Sequence, residues 1–193
     1  NERGMRRALE AGCDEVNYVM VASPGFGLKN QNATPDETAD LFDRIAILAH
    51  DEGVPVSVTV SVAFGDPFDG EVDPAVVAQL AGRARAAGAV EFAMGDTIGV
   101  ADPWKVRKTL DLVRAQSGDM RLRMHFHNTR NTAMANIYAA VEAASCASSS
   151  AWQLSRPALV LPQARRAQAA PTRWCRDLAI AGGQTWARTC WPA

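Results

Sequence analysis

An α/β fold, part of a (β/α)8 barrel, is predicted by three features of this 193-residue sequence. First, strand and helix patterns alternate over residues 1–144. Second, the predicted strands begin near residues 15, 54, 89 and 121, a spacing that parallel strands joined by crossover helices require. Third, one of these strands has a valine face and a small, polar face, which favours a barrel wall over a doubly wound sheet that is apolar on both faces.

Each element before residue 54 has its own sequence signal. A helix is predicted over residues 2–11 and a short apolar strand over residues 15–22. Thr34 is the predicted N-cap of the next helix, with a proline at the first helical position and Glu37 completing a capping box. An apolar stripe runs along this helix, and Gly53 ends it.

The strand predicted at residues 54–63 carries the clearest alternation in the sequence. Every second side chain is a valine, so that one face is apolar, whereas the other face carries serine, threonine and alanine. The valines are Val56, Val58, Val60 and Val62. Valines packed against outer helices and small polar groups facing a lumen fit the wall of a (β/α)8 barrel.

The cycle repeats toward the C-terminus. Asp73 and Asp102 are predicted N-caps, each followed by a proline at the first helical position. The further predicted elements are a helix to residue 87, a strand at 90–95, a helix to residue 115, a strand at 121–127 and a helix at 131–143. With the preceding elements they make about four βα units.

The bulk composition is that of a globular protein. The chain is 48% hydrophobic and 21% charged with a net charge of −1, a balance that gives no sign of nucleic-acid binding. No apolar run reaches the length of about 18 residues that a membrane helix needs, and no charged-then-apolar leader opens the chain. A cytoplasmic protein without a membrane or nucleic-acid partner is therefore expected. The four cysteines lack Cys-x-x-Cys spacing, which argues against a zinc knuckle.

Charge and composition change abruptly near residue 144. Residues 1–144 hold 14 basic and 20 acidic side chains, whereas residues 145–193 hold six arginines and a single acid, Asp177. The second segment also holds four of the five tryptophans. We therefore expect a partial barrel domain over residues 1–144 and an irregular tail over residues 145–193 that is out of frame or disordered.

Polar side chains follow each predicted strand, at the edge where the active sites of (β/α)8 barrels gather. Ser23, Asp66 and Asp96 are candidates, although each is also a residue type that caps loops. His125 and His127 lie on one face of the last strand, because alternate residues of a strand point the same way. Two neutral imidazoles side by side are typical metal ligands, and a purely structural role for the pair is the alternative.

Four segments resemble the 3-hydroxy-3-methylglutaryl-CoA lyase family, which belongs to the metal-dependent lyase and aldolase barrels. They are Val21-Ala-Ser-Pro-Gly-Phe-Gly-Leu-Lys29-Asn30, Ser61-Val-Ala-Phe-Gly-Asp-Pro-Phe-Asp-Gly70, Gly95-Asp96-Thr97-Ile98-Gly99-Val100 and His125-Phe-His127-Asn128-Thr129. The match covers nearly all of residues 1–144 in order. The resemblance implies a (β/α)8 barrel, the TIM barrel, in which these four strands are the fourth to seventh.

The resemblance also implies a reaction and a site. It implies cleavage of a 3-hydroxyacyl-CoA to acetyl-CoA and a ketone or ketoacid, with a divalent cation, Mg²⁺ or Mn²⁺, bound in part by His125 and His127. Asp96 matches the family's active-site acid, and Lys29 and Asn30 match the loop that the family uses near its CoA thioester. An acyl-CoA is therefore the expected partner, with a homo-oligomer possible for the complete protein.

Departures from the family pattern leave the acyl group open. The family's His-x-His-Asp has Asn128 in place of the acid, and Thr59 stands where the lyase has a tyrosine. The family's first strand, with a metal-binding aspartate, and its glycine-rich loop with a catalytic cysteine have no counterpart in the sequence. The alternatives are an isopropylmalate synthase-type acyltransferase, a hydroxy-oxoacid aldolase and an inactive fragment. The chain as written is expected to be inactive.

A frame shift after about residue 144 accounts for the missing loop. If the reading frame is shifted by two bases, the codons of residues 150–167 can encode an alanine-rich stretch that contains a cysteine. The sequence of this stretch is close to that of the family's glycine-rich loop. The alternative is a genuine arginine-rich tail, disordered or binding nucleic acid. We therefore expect a chain that is truncated at its N-terminus and out of frame at its C-terminus.

Overall fold

A computed structural model of the chain describes residues 1–145 and two short strands further on, Ala179–Ala181 and Gln184–Trp186. Within residues 1–145 the strands are β1 (Val16–Val21), β2 (Val56–Ser61), β3 (Glu91–Asp96) and β4 (Arg121–Phe126). The helices are α1 (Glu2–Glu10), α2 (Pro24–Asn30), α3 (Pro35–Asp51), α4 (Pro74–Ala86), α5 (Pro103–Ser117) and α6 (Ala133–Ser145). None of these helices is both long and apolar enough to cross a membrane.

The four strands lie in one sheet in chain order, β1-β2-β3-β4. All pairings are parallel: Ser57 pairs with Asn17 on one side and with Glu91 on the other, and Glu91 pairs with Arg121. A doubly wound sheet reverses its strand order at a switch point, whereas a barrel adds each new strand on the same side. The sequential order therefore agrees with the predicted barrel wall.

The core lies between the sheet and its helices. Val58 and Val60 of β2 and Phe92 of β3 are 0% exposed, and they belong to one cluster with Phe42 of α3 and Leu110 of α5. Full burial of a side chain of this kind contributes about 1.5–3 kcal/mol. The valine face predicted for β2 is thus the face that the helices cover.

We call the side of the sheet covered by the helices the helix face and the opposite side the inner face. Half-buried polar side chains of the inner face include Asn17 of β1, Thr59 and Ser61 of β2, and Arg123 and His125 of β4. Polar, half-buried groups are what a barrel wall presents to its lumen. The predicted division of β2 into an apolar and a polar face is confirmed over Val56–Ser61, whereas Val62 lies beyond the strand with a φ of +54°.

The predicted helix caps are present. Thr34 Oγ1 accepts a hydrogen bond from the Glu37 N–H at 3.3 Å, and Glu37 Oε2 accepts one from the Thr34 N–H at 2.7 Å, which completes the capping box. Asp73 and Asp102 cap α4 and α5 with their side chains. Gly53 has a φ of +67°, a left-handed conformation that suits glycine at the end of α3.

Helix α2 is the main difference from the predicted elements. Its seven residues include Gly25 and Gly27, which disfavour a helix, and a loop is predicted there. The helix forms because Ser23 caps its N-terminus and because carboxylates from the connection after β2 accept hydrogen bonds from its first turn. Lys29 and Asn30 therefore lie in the last turn of a helix and not in a loop.

The predictions for residues 146–193 lie outside the described residues, apart from the two short strands. These strands, β5 (Ala179–Ala181) and β6 (Gln184–Trp186), pair antiparallel with each other. The domain boundary near residue 144, the frame shift and the disorder of the tail stay predictions.

Candidate functional site

Two histidines converge where β4 ends. His125 lies on the inner face and His127 follows the strand, and their Nε2 atoms are 3.4 Å apart. The rings meet edge to face with their centroids 4.7 Å apart. Two nitrogens bound at about 2.1 Å to one metal ion are separated by about 3.0–3.4 Å, so this spacing fits two neighbouring positions of a coordination shell.

A hydrogen bond determines which nitrogen of His127 carries the proton. Its Nδ1 lies 2.7 Å from the backbone carbonyl oxygen of Asp96. Because a carbonyl oxygen only accepts, Nδ1 carries the proton and donates it, and the neutral ring keeps its lone pair on Nε2. A partner of this kind is what orients a metal-binding imidazole and sets its tautomer.

Burial favours the neutral form of His125. Desolvation lowers the pKa of its ring, and the charges of His127 and Arg123 lower it further. Neutral imidazole is the form that binds a metal ion. The donor chemistry of the pair therefore fits a divalent cation, although the described residues contain no cluster of three or more His, Cys, Asp or Glu side chains that would complete the shell.

Two glycines allow close approaches between segments that lie next to the histidines. Gly95 pairs with His125 in the sheet, and a Cβ there would lie 3.1 Å from the Val60 carbonyl oxygen. Gly99 has a φ of +68°, and a Cβ there would lie 2.7 Å from Thr129 Oγ1. These close approaches are a physical reason for glycine at both ends of the Gly95-Asp-Thr-Ile-Gly99 segment.

Asp96 holds the loop that follows β3. Its side chain is 1% exposed, and Oδ1 accepts hydrogen bonds from the N–H groups of Val100 at 2.8 Å and Ala101 at 3.1 Å. Oδ2 is buried without a hydrogen-bond partner among the described residues. Burial raises the pKa of this carboxyl group, while the two backbone donors and the charges of His127 and Arg130 lower it. Asp96 thus caps its loop and also contacts the site through its backbone carbonyl.

The predicted substrate residues lie on another part of the same edge. Lys29 and Asn30 end α2, which follows β1, whereas the histidines end β4. Strands are about 4.8 Å apart, so three spacings put β1 about 14 Å from β4 along the sheet. Lys29 Nζ lies 3.8 Å above the ring of Phe68, and both side chains are exposed. A ligand that contacts both regions has to be long.

The other polar candidates at the strand ends serve as caps. Ser23 Oγ accepts from the Phe26 N–H at 3.3 Å, and Asp66 Oδ2 accepts from the same N–H at 3.2 Å. Asn128 Oδ1 accepts from the Ala133 N–H at 3.2 Å, at the start of α6. The loop-cap alternative stated for Ser23 and Asp66 is therefore the one that their contacts support.

The inner face also holds an ion pair that sequence analysis missed. Arg123 Nη2 lies 2.8 Å from Glu91 Oε1, and the Glu91 side chain is 5% exposed. On the neighbouring strands Asn17 donates to Ser57 Oγ at 2.9 Å and accepts from Thr59 Oγ1 at 3.1 Å. Following the alternation of β4 back from His125 would have placed Arg123 on this face.

The fold and the site together place the chain in one class of protein. In this class parallel strands form a barrel wall, and two imidazoles converge at the carboxyl ends of the strands. Residues 1–148 match the family model described as HMGL-like, and the chain belongs to this family. The family resemblance drawn from the sequence motifs is confirmed.

The chain is similar in sequence to named acyl-CoA lyases. The (R)-citramalyl-CoA lyase of Chloroflexus aurantiacus is 37% identical over 140 residues, which are 72% of this chain and 44% of that protein. The hydroxymethylglutaryl-CoA lyase of Pseudomonas mevalonii is 36% identical over 141 residues, 73% of this chain and 47% of that protein. The chain thus spans about half the length of these relatives.

Solved structures show the same likeness. The hydroxymethylglutaryl-CoA lyase of Pseudomonas aeruginosa has a TM-score of 0.69 at 35% identity, covering 72% of this chain and 46% of that one. An HMG-CoA lyase from Acinetobacter baumannii in complex with coenzyme A and 3-methylmalate has a TM-score of 0.69 at 31% identity, covering 74% and 47%. The four-stranded sheet described above is therefore part of a TIM barrel.

Proposed function

We propose that this chain is part of a divalent-metal-dependent lyase that cleaves a 3-hydroxyacyl-CoA, either 3-hydroxy-3-methylglutaryl-CoA or a close analogue, to acetyl-CoA and a ketone or ketoacid. The observation that carries the proposal is the pair of Nε2 atoms 3.4 Å apart at the carboxyl end of the sheet. The relatives support the substrate class, because both named lyases act on an acyl-CoA. Their acyl groups differ, so the acyl group of this chain is left open.

The proposed metal ligands are His125 and His127. When bound there, Mg²⁺ or Mn²⁺ would polarise the hydroxyl and carbonyl oxygens of the substrate. The hydrogen bond from His127 Nδ1 to the Asp96 carbonyl leaves Nε2 available for this role. The Asp96 backbone is therefore proposed to keep the His127 ring in its metal-binding orientation.

The side chain of Asp96 is proposed to serve proton transfer. In the proposed reaction the 3-hydroxyl group loses its proton, the bond between C2 and C3 breaks, and the electron pair left on C2 takes up a proton to give acetyl-CoA. Burial raises the pKa of the Asp96 carboxyl group toward the range in which a general acid is effective. Its buried Oδ2, without a hydrogen-bond partner among the described residues, supports the same role.

Lys29 and Asn30 are proposed to bind the CoA thioester. The A. baumannii lyase in complex with coenzyme A supports a ligand of this length on this fold. A lysine ammonium suits phosphate oxygens, and an amide suits a carbonyl oxygen. The distance of about 14 Å between β1 and β4 suits an acyl-CoA whose CoA part is held near β1 and whose acyl group reacts near β4.

Metal binding tests the assignment of the histidines. We expect the 193-residue chain to bind Mn²⁺ weakly in calorimetric titration, because two imidazoles supply only two of the six positions of the octahedral shell that Mn²⁺ prefers. His127→Ala is expected to abolish this binding. His50→Ala is the matched control, since His50 is an exposed histidine of α3. Equal binding by wild type and His127→Ala would refute the assignment.

Release of acetyl-CoA from 3-hydroxy-3-methylglutaryl-CoA tests the reaction. We expect no measurable turnover by the 193-residue chain alone, because loss of one member of a catalytic unit costs several orders of magnitude in rate. Turnover by this chain would show that the expected inactivity is wrong. A chain extended by the family's first strand and read in the restored frame after residue 144 is expected to release acetyl-CoA in a metal-dependent way. The same extended chain distinguishes the synthase-type acyltransferase and the hydroxy-oxoacid aldolase when their substrates are supplied instead.

A further inference from the structure

The first turn of α2 is held by two carboxylates from a distant part of the sequence. Asp69 Oδ2 accepts from the Gly25 N–H at 2.6 Å, and Asp66 Oδ2 accepts from the Phe26 N–H at 3.2 Å. Ser23 Oγ donates to Asp69 Oδ2 at 3.2 Å. The first N–H groups of any helix have no acceptor within the helix. In α2 two of these N–H groups donate to carboxylates that lie 40 and 44 positions further along the chain.

The segment that supplies these carboxylates is itself closed by hydrogen bonds. We call residues 66–70 the aspartate loop. The Asp66 N–H donates to the Gly70 carbonyl at 2.8 Å, and the Gly70 N–H donates to the Asp66 carbonyl at 3.1 Å. Asp66 Oδ1 accepts from the Phe68 N–H at 2.6 Å, and Asp66 is 4% exposed. One oxygen of this carboxylate therefore binds its own loop, and the other binds α2.

The aspartate loop contacts α2 along its side as well. Lys29 Nζ lies 3.8 Å above the Phe68 ring, and the Phe26 and Phe68 ring centroids are 6.5 Å apart. An ammonium group above an aromatic ring is attracted to it. The fit is close, because a Cβ on Gly25 would lie 2.3 Å from Asp69 Oδ1. Helix α2 and the aspartate loop thus form one packed unit.

From these contacts we propose that Asp66 and Asp69 are positioning residues, which hold α2 on the aspartate loop and thereby place Lys29 to receive an anionic group of the acyl-CoA. The choice of ligand rests on the proposed function, whereas the placement of Lys29 does not. A seven-residue helix with two glycines is too short to be stable by itself, so α2 depends on these acceptors.

The arrangement leaves the charge of Lys29 available for a ligand. Both carboxylates accept from the amides at the N-terminal end of α2, where negative charge is stabilised. Lys29, at the other end of the helix, contacts the uncharged ring of Phe68. A lysine held in this way has less conformational freedom to lose when an anion binds, which strengthens binding.

A measurement without ligand tests the placement of Lys29. The ring current of Phe68 is expected to shift the ε-methylene protons of Lys29 upfield in the NMR spectrum. Asp69→Ala is expected to remove most of this shift and to accelerate amide exchange at Gly25 and Phe26 by about tenfold or more, since each lost bond to a charged acceptor weakens the closed state. Asp69 is exposed, so this variant avoids the disturbance that a change at a buried position causes.

Two further variants complete this measurement. Asp66→Asn is expected to have the same effect, because Asp66 is the buried carboxylate that accepts from the first turn of α2. Asp73→Ala is the matched control, because it removes the same charge from the same connection, while its side chain caps α4. An unchanged ring-current shift and unchanged exchange in both Asp66→Asn and Asp69→Ala would overturn the proposal.

Binding of coenzyme A tests the consequence for the ligand. In calorimetric titration we expect Asp69→Ala to weaken binding by about twofold to tenfold, the effect of one side chain that must be newly ordered. In a Lys29→Met background the same change is expected to add no further loss, because it acts through Lys29. If Asp69→Ala weakens coenzyme A binding in the Lys29→Met background as much as it does in the wild type, the positioning role is overturned. No coenzyme A binding by the wild-type chain would refute the proposed ligand, and the ring-current measurement would still decide the placement of Lys29.

Discussion

The helix face and the inner face use the same four strands in opposite ways. On the helix face Val58 and Phe92 are fully buried by the chain's own helices, whereas on the inner face Thr59 and His125 stay half-buried. Apolar burial on one side is non-directional and scales with area, while polar groups on the other side need specific partners. The helix face therefore contributes most of the stability in this part of the chain, whereas the inner face carries the residues proposed for chemistry.

The inner face satisfies its polar groups by pairing them across strands. Glu91 of β3 contacts Arg123 of β4, and Asn17 of β1 contacts Ser57 and Thr59 of β2. These contacts occupy the layers of the inner face that precede the histidines along the strands. These hydrogen-bonded side chains hold the residues below the site in place.

The largest effect is expected on the helix face. Phe92→Ala removes a fully buried ring and leaves a cavity, so the free energy of unfolding is expected to fall by about 3–5 kcal/mol in urea denaturation. Thr59→Ala, on the inner face of the neighbouring strand, is expected to cost about 1 kcal/mol through its lost hydrogen bond to Asn17. Equal losses in the two variants would show that the faces do not differ in this way.

An intermediate effect is expected at the ion pair of the inner face. Arg123→Met removes the partner 2.8 Å from the buried Glu91 carboxylate. Breaking a buried pair costs about 3–5 kcal/mol, and we expect about 2–3 kcal/mol here because the Arg123 side chain is 30% exposed.

Arg121→Met is the matched control for this change, since Arg121 lies two positions away on the same strand and face. Combining Arg123→Met with Glu91→Gln is expected to recover part of the loss, because the buried charge is removed together with its partner. A double variant that is less stable than Arg123→Met alone would contradict the account of the pair.

The smallest effect is expected from the titration of His125. Its pKa in the folded chain lies below the ordinary value of 6.5, so the unfolded chain binds more protons between these two values. Stability is therefore fully present above about pH 6.5 and is lost as the pH falls through the lowered pKa. Urea midpoints measured between pH 5 and 8 are expected to fall less toward acid pH in His125→Gln than in the wild type. If the wild type instead becomes more stable relative to His125→Gln as the pH falls, the expected direction of the pH dependence is wrong.

The elements that sequence analysis predicted are those whose signals are local. The capping box joins Thr34 and Glu37, three positions apart, and the valine alternation of β2 lies within one strand. Helix α2 was missed because its stabilising acceptors, Asp66 and Asp69, lie 40 and 44 positions from their donors. The cytoplasmic location and the absence of membrane and nucleic-acid partners stay predictions.

The candidate site likewise has features that the sequence predicts and features that depend on contacts between distant segments. That the side chains of His125 and His127 lie next to each other agrees with the two-residue period of a strand, although β4 itself ends at Phe126. The tautomer of His127 depends on the carbonyl of Asp96, which belongs to a different strand. The pairing of Arg123 with Glu91 likewise depends on the register between β3 and β4.

The sequence by itself thus determined the βα repeat, the apolar face that the helices cover, and the residue types that converge at the carboxyl ends of the strands. It could do so because periodicity and caps act within a few residues of one another. The tertiary structure alone decided that α2 is a helix, that Lys29 lies over Phe68, and which nitrogen of His127 carries the proton. Each of these depends on a hydrogen bond or ring contact between segments about 30 to 40 residues apart, and only the folded sheet brings such segments together.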